Sequence, residues 1–173
     1  MHLPFEALAN MGKAVSGSPR WSKPDGADKT IKLSAPLEVE ESTLQGLFLK
    51  ARARINAPDQ DISFTLTYLT PGTTRDGVTL DRMDWRPKTP HENLDEHSPP
   101  NLYLIEIDGT HRHSFALNWR HQAGRPLKWM PVAEPISPDY QDFVELRTAV
   151  GNLFRISNID LISEPNWDRD LFG

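Results

Sequence analysis

Five of the six histidines, His91, His97, His111, His113 and His121, fall within about thirty residues, and two stand one residue apart in EIDGTHRHSFALNW (106–119). Neutral imidazole is the commonest metal ligand among side chains, and imidazole beside a carboxylate is the usual general base. Side chains alternate along a strand, so His111 and His113 would share a face with Phe115, Leu117 and Trp119. Asp108-Gly109 signals a tight turn between LYLIEI and THRHSFALNW. In that register Glu106 faces His111 and Leu104 faces His113, with opposed Cβ atoms about 4.5–5.5 Å apart. His111, His113 and Glu106 thus form a candidate divalent-metal set, or an acid–base set. His91 and Asn93 lie in the proline-rich loop RPKTPHENLDEHSPP (86–100). Folded over the hairpin, that loop would add His91 to the catalytic candidates and Asn93 as a binding residue. The competing view makes these histidines structural, and rings pinned by backbone carbonyls with no adjacent cleft would favour it.

Other side chains invite chemistry less directly. Lys50, Arg52 and Arg54 form a basic stripe on one strand face, able to meet RNA, DNA or an acidic partner, or simply water. Asp81 and Asp84, with Glu92, Asp95 and Glu96 downstream, are carboxylates of the kind that hold magnesium. Trp167 sits among charges in SEPNWDRDLFG and could dock on a partner or fold back on its own domain. No phosphate-binding glycine loop, G-x-S-x-G elbow or HExxH helix occurs, so no nucleotide or organic cofactor is indicated.

The elements that must position these residues read as strands first and a helix last. IKLSAPLEV, LFLKARARI and ISFTLTYL alternate apolar and polar residues, and the last two make the clearest hairpin. Pro36 puts the first of them at a sheet edge. VTLDRMDW (78–85) is a further strand. A helix opens at Ser137-Pro138, with Tyr140, Phe143, Val144, Arg147, Val150, Leu153 and Phe154 on one face, and IDLI adds a short strand. This is the pattern of an α+β protein: an antiparallel sheet of about five to seven strands packed against one C-terminal helix, with a short N-terminal helix. Residues 1–29 read as an extension or linker, 30–162 as the domain and 163–173 as an acidic tail.

The 173-residue chain has no cysteine, which removes disulfides, thiolate metal sites and cysteine nucleophiles, and fits a reducing, cytoplasmic address. A net charge of −5 argues against a nucleic-acid-binding surface spread over the whole molecule. No stretch is long and apolar enough for a membrane span, so membrane partners are not expected.

The order of motifs, DRMDW, PHEN, Gly-x-His-x-His-x-Phe, WMP and NLFRISNI, resembles a family of uncharacterised bacterial and phage proteins. Its members carry a Pro-His-x-Asn loop, a Gly-Pro-His-x-His-x-Tyr strand and a Trp-Ala-x-Pro segment. The resemblance covers residues 78–159, about half the chain, and implies roles for Asp84, His91, Asn93, Gly109, His111, His113, Trp129 and Pro131. Thr110 and Phe115 depart from the pattern. It implies no activity, but a setting among mobile elements and phage–host conflict. Two functions follow as expectations. The favoured one is a non-catalytic binding protein acting on a macromolecular partner, most readily another protein, in a toxin–antitoxin, defence or anti-defence role. The alternative is a metal-assisted or histidine-based hydrolase, a ribonuclease or phosphodiesterase, built on the 106–113 hairpin.

Overall fold

Alternation decides which side of the sheet is dry. Four strands run in meander order: β2 (Thr30–Val39), β3 (Ser42–Arg54), β4 (Ile62–Leu69) and β5 (Gly77–Trp85). The register pairs Leu49 with Leu66 and Ala51 with Phe64, so the apolar set of each strand meets that of its neighbour on one face. Ile31, Leu33, Leu47, Leu49, Phe64, Leu66 and Met83 are all buried there. The computed structural model describes residues 5–40, 42–70, 72, 77–121 and 129–172, and only the backbone at 42–43, 120–121 and 171–172.

The expected α+β architecture is present. A seven-stranded antiparallel sheet, ordered β1-β2-β3-β4-β5-β8-β9, also includes β1 (Ala14–Val15), β8 (His111–His113) and β9 (Glu134–Pro135). A separate ribbon pairs β6 (His91–Glu92) with β7 (Glu106–Ile107). The buried face is covered by α1 (Phe5–Asn10), α2 (Phe115–His121) and α3 (Phe143–Phe154). Phe143 of α3 packs on Phe64 with ring centroids 6.2 Å apart, and Phe5 meets Tyr68 and Trp119 edge-on. Residues 5–15, within the stretch read as an extension, therefore supply a helix and a strand. Trp167 folds back: it is buried, its ring 6.0 Å from Phe143.

Several local expectations are corrected. The histidine strand stops at His113, because Ser114 turns the chain into α2, its Oγ accepting from Leu117 N–H at 3.3 Å. Phe115, Leu117 and Trp119 thus belong to a helix rather than to the histidine face. The α3 helix begins at Phe143 and not at Ser137-Pro138; its cap is Asp142, whose Oδ1 accepts from Glu145 N–H at 2.9 Å. Its buried stripe is Phe143, Leu146, Val150 and Phe154, while Val144 is 54% exposed. IDLI forms a one-turn helix, Ile159–Leu161, instead of a strand. Of LYLIEI only Glu106–Ile107 is extended, and residues 127–128 of LKWMPV lie outside the described residues.

Candidate metal centre

The face of the sheet turned away from the helices carries the chemistry. Across β2, β3, β4, β5 and β8, register places Lys32, Arg52, Ser63, Asp84 and His111 in one row. The next row holds Ser34, Lys50, Thr65, Arg82 and His113. At the β5–β8 end the proline loop and the strap 129–133 lie over this face and bury Asp84, His111 and His113.

The expected Glu106–His111 pair does not form. Glu106 is exposed on β7 opposite Glu92, whereas β8 pairs with β5, setting His111 opposite Asp84. Local contacts explain the choice. Thr110 donates from Oγ1 to Asp139 at 2.5 Å and accepts from Arg86 N–H at 3.2 Å, tying the start of β8 to the end of β5. Asp84, not Glu106, is the carboxylate of the site.

His91 joins the two strand histidines as the loop reading anticipated. One ring nitrogen from each of His91, His111 and His113 lies within 4.8 Å of the others. The hydrogen bonds fix which nitrogens are available. His111 Nδ1 is 2.8 Å from Gly109 O, and His113 Nδ1 is 2.7 Å from Met130 O. A carbonyl only accepts, so both Nδ1 atoms carry hydrogen, and in the neutral ring each Nε2 presents a lone pair. His91 uses Nε2 toward Asn93 Oδ1 (3.1 Å) and Pro131 O (3.0 Å), both acceptors in this arrangement, which leaves Nδ1 as its lone-pair nitrogen.

The Nε2 atoms of His111 and His113 both lie 3.4 Å from the same oxygen, Asp84 Oδ2. That atom is buried and makes no directed hydrogen bond, although Arg82 Nε stands 2.8 Å away as an ion-pair contact. A charge-assisted hydrogen bond would be about 2.7–2.9 Å long. By contrast, about 3.4 Å is the edge of a tetrahedron of ligands around a metal with bonds near 2.1 Å. The spacing is that of neighbouring metal ligands.

Asp84's other oxygen accepts from Ser63 Oγ and from Arg82 at 3.0 Å. Burial opposes ionisation of Asp84, but the adjacent His111 and His113 rings, the Arg82 charge and the Ser63 hydroxyl outweigh it and hold the carboxyl far below the usual range. Burial, then the nearness of the His113 and His111 rings, push His91 below the ordinary imidazole value despite its bonds to Pro131 and Asn93. A low value keeps the ring neutral, the form that binds metal.

Asn93, expected as a binding residue, has its side-chain amide turned into the protein. Fully buried, it donates to Leu102 O and Ala133 O at 3.0 and 2.8 Å while its Oδ1 accepts from Ala133 N–H at 2.8 Å. Asn118, which carries no motif, does the same for Val132: Nδ2 donates to its carbonyl and Oδ1 accepts from its N–H, both at 2.9 Å. The two amides fix the strap whose Met130 and Pro131 carbonyls orient His113 and His91. Sequence reading missed Asn118, whose only signal is a polar residue between apolar neighbours.

A pocket of about 330 Å³ opens beside the cluster, lined by Arg82, Asp84, Pro90, the three histidines and Trp129, among others. Trp129 is 76% exposed at its mouth. The strand histidines are pinned by carbonyls, but a cleft lies next to them. Of the basic stripe, Lys50 and Arg52 stay on the outer face, while Arg54 pairs with Asp61 at 2.7 Å. Arg112 points inward to a two-point ion pair with buried Asp81. Among the described residues, no helix is long and apolar enough to cross a membrane. Comparison with family models, with curated proteins and with solved structures finds nothing that matches this chain, so the chemistry of the centre is read from its own residues.

Proposed function

We propose that His91, His111, His113 and Asp84 bind a divalent transition metal and that the protein is a metal-assisted hydrolase of phosphodiesters. The observation that carries this is the convergence of two imidazole lone pairs on one buried carboxylate oxygen at ligand-to-ligand spacing. Imidazole with carboxylate suits zinc, manganese or iron. The backbone carbonyls on Nδ1 of both strand histidines supply the outer-sphere bonds that fix tautomer and ring direction. The adjoining pocket would leave room for water and a phosphodiester beside the ligand set. A metal held by these residues would supply an activated water and polarise the phosphoryl group, so that the water oxygen would displace the leaving oxygen, which would take up the proton that the water gives up. Arg82, on the pocket wall, is placed to meet a phosphate oxygen.

Elemental analysis of the purified protein, wild type beside His111→Ala/His113→Ala, tests the centre. Stoichiometric metal in the wild type that disappears in the variant is expected, together with metal-dependent hydrolysis of bis(4-nitrophenyl) phosphate. A wild-type protein that takes up no zinc, manganese or iron on reconstitution would sink the reading. A second reading keeps the protein non-catalytic, a module recruiting a protein partner in phage–host conflict. It is supported by the apolar side chains Leu94, Tyr103 and Leu104, exposed on the segment beside the centre. Bound metal without hydrolysis of any phosphodiester would favour it.

A further inference from the structure

The outer sheet face continues from the metal centre as an open groove of about 690 Å³. Among the described residues its charged lining is Lys32, Lys50, Arg52 and Arg82, with no acidic side chain. That concentration of cations stands out on a chain whose net charge is −5. Arg82 lines both this groove and the histidine pocket, and Ser63 in the groove donates to Asp84 in the centre. From Lys32 on β2 to Arg82 on β5 are three strand spacings, about 14 Å. The cations therefore lie along a path that ends at the metal ligands.

We infer that this face is a binding track for single-stranded RNA, which it delivers to the metal centre; the assignment rests on the hydrolase reading above. A row of cations on a flat sheet matches a flexible polyanion, whose phosphates can follow the groove and then bend under the strap. Ser34 and Thr65 stand between the cations and offer hydroxyls to the ribose 2′-OH, the group that distinguishes RNA from DNA. Among the described residues the groove lining holds no aromatic ring, so the track holds backbone rather than reading bases.

Fluorescence anisotropy with a labelled twelve-residue oligouridylate tests the track, using full-length protein stripped of metal by chelator so that binding is read apart from cleavage. Replacing Lys50 and Arg52 with alanine changes only the solvent face and is expected to weaken binding at least tenfold. The slope of log affinity against log salt should fall by about 1.4, two contacts at roughly 0.7 each for a single strand. The His111→Ala/His113→Ala protein should bind the oligomer as the wild type does while losing hydrolysis, which separates failure of the track from failure of the centre. No binding by wild type at low salt, or equal binding by the Lys50→Ala/Arg52→Ala protein, would overturn the proposal. So would equal or tighter binding of the matching DNA strand, or of duplex RNA.

Discussion

Asn93 uses its whole side-chain amide inside the protein, and that makes its replacement informative. Asn93→Ala removes one donor and one acceptor from the strap at Ala133 and a second donor from Leu102 O, and frees His91 Nε2 on one side. Metal affinity should fall 10- to 100-fold, the usual effect of losing an outer-sphere partner, measured by competition with a chromogenic chelator. Asn118→Ala, which touches no histidine, should move the strap and reduce affinity in the same direction. Lys13 belongs to the same scale. It is 3% exposed, and its ammonium donates to the carbonyls of Ala9, Met11 and Phe154. Burial and then the charge of Arg155 bring its pKa down to about 8 from an ordinary 10.5. Between these values the unfolded chain holds the proton more tightly than the native protein, so this group's contribution to stability rises with pH through that window. Urea denaturation from pH 8 to pH 10 should show a gain on the order of 1–3 kcal/mol that is absent in Lys13→Met. A K13M profile parallel to wild type would refute the assignment.

At the level of elements, α3 and the one-turn helix at Ile159–Leu161 meet at a glycine. A Cβ on Gly151 would lie 2.5 Å from Ile159 Cγ2 and 3.0 Å from its Cβ, so the missing side chain lets Ile159 pack directly on the helix backbone. Gly151→Ala should destabilise by about 1–3 kcal/mol, the common cost of overpacking, despite alanine's better helix propensity. Most of that loss should vanish in an Ile159→Ala background, read from thermal melts of the four proteins of the cycle. Elements also show what sequence could tell. The β3–β4 hairpin was legible because alternation is a local signal and its two apolar sets must share a side. The histidines were legible by their spacing, and His91 by a loop too long to be idle. Asp84 was visible as a candidate carboxylate yet not as the partner of His111. That pairing joins strands separated by the loop and the β6–β7 ribbon, and no local rule prefers it over a turn at Asp108-Gly109. The Ser114 break from strand to helix was written in a weak cap and overruled by an alternation that ran on past it.

For the molecule as a whole, the proposed metal would join three regions distant in sequence: β5 through Asp84, the proline loop through His91 and β8 through His111 and His113. A ligand that binds only the native state stabilises it by about 4 kcal/mol at a thousand times its dissociation constant. For a domain of this size that corresponds to a rise in Tm on the order of 10 °C. Differential scanning fluorimetry should show such a rise when zinc or manganese is added to chelator-treated wild type. The His111→Ala/His113→Ala protein should show none, and equal shifts in the two would place the ion elsewhere.

The rims of the sheet carry a different consequence. At one rim β9 is two residues long, a glutamate and a proline, so it offers charge and lacks one backbone donor. At the other, the 16–29 segment lies along β2: Ser16 N–H reaches Pro36 O at 2.9 Å, and Ser22 N–H reaches Lys32 O at 2.7 Å. Ser22 Oγ accepts from Lys32 N–H at 3.0 Å. Among the described residues, neither rim presents a long row of free amides and carbonyls, the template by which strands recruit one another. The protein is built to resist edge-to-edge polymerisation, and visitors are directed to its broad surfaces instead of its margins.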